Sequence, residues 1–98
     1  MKKVTQQAIR KFLDAQPFKS GNTQVHVLPN VTVLSLHGNE IAYKYNNPEN
    51  TVSICACGWL SNTTKERLNG IPGVSIHQKN YQWYLNGQKW DGQLIDVK

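Results

Sequence analysis

Two cysteines, Cys55 and Cys57, stand with one alanine between them in "TVSICACGW". Residues two apart in a strand project from one face, so the pair could supply half of a tetrahedral thiolate site for zinc. The other half is missing. No second cysteine pair exists, and His26, His37 and His77 fall in separate segments without ligand spacing. No metal is expected, and both cysteines read as small buried apolar residues kept reduced in a cytoplasm. Nucleophilic catalysis has no better support. There is no G-x-S-x-G elbow and no base evident beside either thiol. Asp14, Glu40, Glu49, Glu66, Asp91 and Asp96 are scattered in loops or at helix ends, and no glycine pattern cradles a phosphate. The expectation is a protein without a cofactor that is not an enzyme.

Binding chemistry is better represented. "HQKNYQWYLNGQKWDG", residues 77–92, gathers Tyr81, Trp83, Tyr84 and Trp90 around one Asn86-Gly87 pair. Alternation along a strand puts Tyr81, Trp83 and Leu85 on one side, the side expected to pack as core. Tyr84 falls on the other side with Gln82, close along the chain to Lys79 and Lys89. Trp90 follows the turn, and an exposed Tyr84–Trp90 pair beside Lys89 could stack on a base or anchor a protein contact. "TTKER" adds hydroxyls and cations at the start of a short helix. The candidate surface is therefore Thr64, Lys65, Arg67, Lys79, Tyr84, Lys89 and Trp90.

These residues must be positioned by a single small domain spanning 1–98. Two independent cores would each fall below the size that folds readily alone. An apolar content of 39% suits a modest core and is too high for a disordered chain. No apolar run approaches the ~20 residues of a membrane span. Polar and charged residues interrupt the first sixteen positions, so no signal peptide is read there. Eleven Lys and Arg against six Asp and Glu leave a net charge of +5, which favours encounter with nucleic acid or an acidic protein.

The elements follow from periodicity. Residues 5–16 predict a helix with Thr5 as N-cap and Ala8, Ile9, Phe12 and Leu13 on its apolar face, packed on a sheet. Pro17 and "KSGN" end it. The period then changes to two, giving strands at 23–28, 31–37, 41–45 and 51–59 in an antiparallel meander. "VTVLSLH" is apolar on both faces and reads as central, and Ile41, Tyr43 and Tyr45 are expected to share a face. A short helix at 63–69 is signalled by a Thr63/Glu66 capping box and a left-handed stop at Asn69-Gly70. Strands at 73–78 and 82–86 follow, joined to a last, bent strand over 88–97 by a type I′ turn at Asn86-Gly87. The fold class is α+β: N-terminal helix, a meander of about four strands, a short helix and three further strands. An edge such as 23–28 or the last strand could pair with its copy, so monomer and homodimer both fit.

Taken together, "LHGNEIAY", "ACGWLSNTTKERLNGIPGVSIHQKNYQWYLNGQKWDG" and "LIDV" resemble a family of small, functionally uncharacterised bacteriophage proteins. The shared elements are Gly38-Asn39, Ile41-Ala42, Gly58-Trp59, Thr63-Thr64-Lys65, Arg67-Leu68-Asn69, Gln78-Lys79, Trp83-Tyr84-Leu85 and Trp90-Asp91-Gly92. They cover residues 33 to 97 and leave the N-terminal helix outside. The resemblance implies a phage origin and action in the host cytoplasm. The expectation is an accessory protein that binds a host macromolecule during infection. A host protein, from defence or gene-expression machinery, is the preferred target. Direct binding of DNA or RNA through the basic and aromatic patch is the alternative, and sequestration of a small nucleotide signal is a second one. No membrane partner is expected.

Overall fold

A computed structural model of the chain describes residues 2–56, 58 and 60–97. Helix α1 (Lys3–Leu13) precedes strands β1 (Phe18–Ser20), β2 (Thr23–Val27), β3 (Val31–Leu36), β4 (Asn39–Tyr45) and β5 (Val52–Ile54). Helix α2 (Asn62–Leu68) and strands β6 (Ile76–Lys79), β7 (Gln82–Leu85), β8 (Gln88–Lys89) and β9 (Ile95–Asp96) complete the chain. The strands form an antiparallel six-stranded sheet in the order β1-β2-β3-β4-β5-β9 and a three-stranded sheet in the order β6-β7-β8. The architecture is the α+β arrangement expected, with the later strands making a second sheet.

Helix α1 starts and stops earlier than its polar pattern implied. Lys2 is the N-cap without a side-chain bond, while Thr5 lies inside the helix and is fully buried. The C-terminus closes in a Schellman arrangement: Ala15 takes φ +53, its N–H reaches Phe12 O, and Gln16 N–H reaches Lys11 O. Ala8, Ile9 and Phe12 point inward. They meet a row that crosses the large sheet, Val25–Leu34–Ala42–Ile54, each pair in register with the next. β3 is central, and every residue from Thr32 to Leu36 is buried. A bulge between Leu34 and Ser35 corrects one expectation about faces. It brings Ile41 into the core beside Ala42, while Tyr43 and Tyr45 stack on each other at 6.4 Å between centroids.

Three further differences have local causes. The "KSGN" stretch is not only a helix terminator: Phe18–Ser20 pairs with Thr23–Val25 as β1, so 23–28 is not an edge. The expected strand 51–59 is described only as Val52–Ile54, and Cys57 and Trp59 lie outside the described residues. The single bent strand over 88–97 is two short strands, β8 in the small sheet and β9 against β5. Gly92, at φ +93, makes the crossing; a Cβ there would sit 2.8 Å from the Ala56 side chain.

Helix α2 is capped two residues earlier than the Thr63/Glu66 box would place it. Ser61 is the N-cap, and its Oγ accepts the Thr64 N–H at 3.1 Å. Glu66 is thereby free to turn toward α1, where its carboxylate accepts from the Thr5 hydroxyl, from the Lys2 N–H at 3.3 Å and from Arg67. Arg67 is 5% exposed and also donates to Thr5 Oγ1 at 2.7 Å and to Thr23 Oγ1 at 3.1 Å. Asn69 keeps right-handed geometry, φ −65 and ψ −13, so the helix does not end in a left-handed stop. Glycine at position 70 answers a different need. A Cβ there would lie 2.8 Å from Ile9 Cγ1 and 3.0 Å from Thr5 Cγ2, so its absence lets α1 approach.

Two outcomes follow. The Thr32 hydroxyl is fully buried in β3 with no hydrogen-bond partner among the described residues. Thr32→Val keeps the shape and removes an unsatisfied polar atom, which should stabilise by about 1 kcal/mol and raise Tm by about 4 °C in thermal melts. A lower Tm would show that the hydroxyl is satisfied. Burial by itself would raise the Glu66 pKa, but the bonds from Thr5, Lys2 and Arg67 and the Arg67 charge outweigh it and hold the carboxyl below the ordinary glutamate value. The unfolded chain therefore binds this proton at higher pH than the folded one. The stabilisation is complete above the unfolded pKa and is lost as pH falls through the folded pKa. Melts of Glu66→Gln against wild type should show a shallower decline below about pH 4.3, and an unchanged acid limb would remove Glu66 from the account.

Candidate nucleic-acid interface

The small sheet is built from two turns of the same kind. Asn86-Gly87 joins β7 to β8 with φ +50 and +86, the type I′ turn expected there. The Asn86 side chain ties it back to the start of β6, accepting the Ser75 N–H at 2.9 Å and donating to Gly73 O at 3.1 Å. The second turn, Asn80-Tyr81, joins β6 to β7 with φ +51 and +65. Tyr81 is thus a turn residue, 97% exposed, and does not line the core with Trp83 and Leu85 as strand alternation implied. Asn80 was the available signal, because asparagine tolerates the left-handed region.

Alternation from Gln82 onward sorts the two faces of this sheet. Trp83, Leu85 and Ile76 point inward and are buried, and Trp90 joins them at 2% exposure. The Trp90 N–H continues the ladder to Trp83 O at 3.0 Å, and its Nε1 donates to Gln93 O at 2.9 Å, so both polar groups are satisfied inside. The indoles lie 6.3 Å apart, and Lys65 Nζ sits 5.9 Å from the Trp83 ring centroid. The outward face carries a cross-strand row, His77–Tyr84–Lys89, in direct register over β6, β7 and β8. A second pair, Lys79–Gln82, lies beside it. The His77 and Tyr84 rings stack at 5.1 Å with planes 10° apart. No aspartate or glutamate occurs between Arg67 and Trp90, so no acid offsets these lysines along the strands.

The seven candidate residues therefore divide. Lys79, Tyr84 and Lys89 share the outward face of the small sheet. Thr64 is fully buried under the α2 cap, with its hydroxyl 3.0 Å from Ser61 Oγ. Arg67 is committed to Glu66, Thr5 and Thr23, and Trp90 is core. Burial takes these three off the surface. Lys65 is half-buried and turned toward Trp83, on the inner side. His77 and Tyr81 are the surface residues that the sequence pattern did not single out.

The remaining chemical groups are dispersed. Cys55 is buried and its Sγ lies 3.2 Å from Glu40 O; with Cys57 outside the described residues, the pair's geometry is not described. Among the described residues no three of His, Cys, Asp or Glu come together as a metal cage. No helix among them is long and apolar enough to cross a membrane.

No curated protein and no solved structure matches the chain. The model of one family, described as Kyanoviridae Gp96 protein, matches residues 1–95, which extends the likeness across α1 as well as both sheets. The chain belongs to the Kyanoviridae Gp96 protein family, a small uncharacterised family of bacteriophage proteins.

Proposed function

We infer that this phage protein works by binding rather than by catalysis, and that its partner inside the infected cell is single-stranded nucleic acid, held on the outward face of β6-β7-β8. The observation that carries the reading is the acid-free row His77–Tyr84–Lys89 with Lys79 beside it. Cations that follow a backbone, alternating with rings on which bases stack, are the two ingredients of sequence-tolerant single-strand binding. A host protein, the first expectation from the sequence, is less well served by this face. Protein hot spots need an apolar centre sealed by a polar rim. Here Ile76, Trp83, Leu85 and Trp90 all point inward, and burial of Trp90 takes away the anchor that would have supplied such a centre.

The test is affinity for a labelled single-stranded oligonucleotide as a function of salt. Binding should weaken about tenfold or more between about 50 and 200 mM monovalent salt. Replacing Lys79 and Lys89 together by Ala should reduce the slope of log affinity against log salt by about 1.4, since each phosphate contact contributes about 0.7 on single strands. Salt-insensitive binding, or a host protein that stays bound after nuclease treatment while oligonucleotides do not bind, would replace this reading with the protein one.

A further inference from the structure

Among the described residues three two-residue turns have both central residues at positive φ: His37-Gly38 at +54 and +79, Asn80-Tyr81 at +51 and +65, and Asn86-Gly87 at +50 and +86. Glycine fills the second position in two of them, as the left-handed conformation favours. At the third stands tyrosine, a bulky residue for which that conformation is unfavourable. Strain of this kind is normally offset by packing, yet the Tyr81 side chain is 97% exposed. The fold gains nothing from the ring where it is held. It projects from the tip of the β6-β7 hairpin, two residues beyond Lys79, in a stretch without a carboxylate.

The geometry points to Tyr81 as the principal base-stacking residue of this protein, displayed at the hairpin tip so that a base of a single strand covers its free ring face. The inference rests on the nucleic-acid reading of the neighbouring sheet face. Tyr84 is half-buried and already stacked on His77, so less of its ring is open to a base, whereas Tyr81 is almost fully exposed. Lys79 and Lys89 would hold the flanking phosphates, and the class of ligand is an unpaired DNA or RNA strand rather than a duplex, whose bases are stacked on one another.

The experiment measures fluorescence anisotropy of a labelled oligothymidylate and an oligouridylate of about 12 nucleotides, with wild type, Tyr81→Gly, Tyr81→Phe and the Lys79→Ala/Lys89→Ala double variant, each also melted. Tyr81→Gly should bind about tenfold more weakly and yet melt about 4 °C higher, because Asn-Gly is the relaxed form of this turn. Tyr81→Phe should bind within about twofold of wild type, since the ring face is retained. A Tyr81→Gly variant that binds like wild type, while the double lysine variant does not, would overturn the role of Tyr81 and leave the sheet face as the binding site. A variant that binds weakly but also melts lower would make the ring part of the fold and overturn the inference. Wild-type protein that binds neither oligonucleotide would end both this assignment and the reading beneath it.

Discussion

Arg67 holds the molecule together at the point where its three parts meet. Its guanidinium is buried among Thr5 of α1, Glu66 of α2 and Thr23 of β2, residues up to 62 positions away in the chain. A buried cation is costly unless it is paired and hydrogen-bonded, so losing any of these partners would leave it under-compensated. That requirement fixes the approach of the two helices. It explains why Glu66 leaves its own helix cap to Ser61, and why position 70 has no room for a side chain. With α2 set, Lys65 reaches over Trp83, and Asn69 bonds both the N–H of Ile76 at 2.6 Å and its carbonyl at 3.0 Å. The small sheet is thereby attached at its first strand.

The two sheets do different work. The large sheet takes up α1 on one side, and its central strand is buried from Thr32 to Leu36. The small sheet gives one face to the core through Ile76, Trp83, Leu85 and Trp90 and leaves the other in water. Side-chain alternation makes that division unavoidable: once Trp83 and Leu85 face inward, Tyr84 must face outward, and register aligns it with His77 and Lys89. A rigid, backbone-paired platform that carries rings and cations without a carboxylate is the result. The distribution of charge along the sequence, with no acid from 68 to 90, acts in the same direction as the register.

Much of this is legible in the sequence. The change of period from 3.6 to 2 marked α1 and the strands, the two-sided apolar run "VTVLSL" marked the central strand, and Asn86-Gly87 marked its turn. The departures share a physical origin in partners distant along the chain. Arg67 and Thr64 look like surface residues because their types are usually solvated, and only contacts from α1, β2 and Ser61 bury them. Trp90 sits one residue past a short strand, where alternation no longer assigns a side. Tyr81 reads as strand because it stands in a run of aromatic and branched residues, and the preceding asparagine is a weak cue against it. The bulge that moves Ile41 leaves no mark in the alternation at all.

Function in this protein turns on which surface meets the ligand. The direct measurement is a two-dimensional amide NMR titration of the labelled protein with single-stranded oligonucleotide at low salt. Binding on the outward face of the small sheet predicts shifts concentrated in 76–90, at His77, Lys79, Tyr81, Tyr84 and Lys89, with Arg10 on α1 and His26 and Tyr43 on the large sheet unmoved. Shifts centred on α1 or on the large sheet, or a spectrum unchanged at excess oligonucleotide, would contradict it.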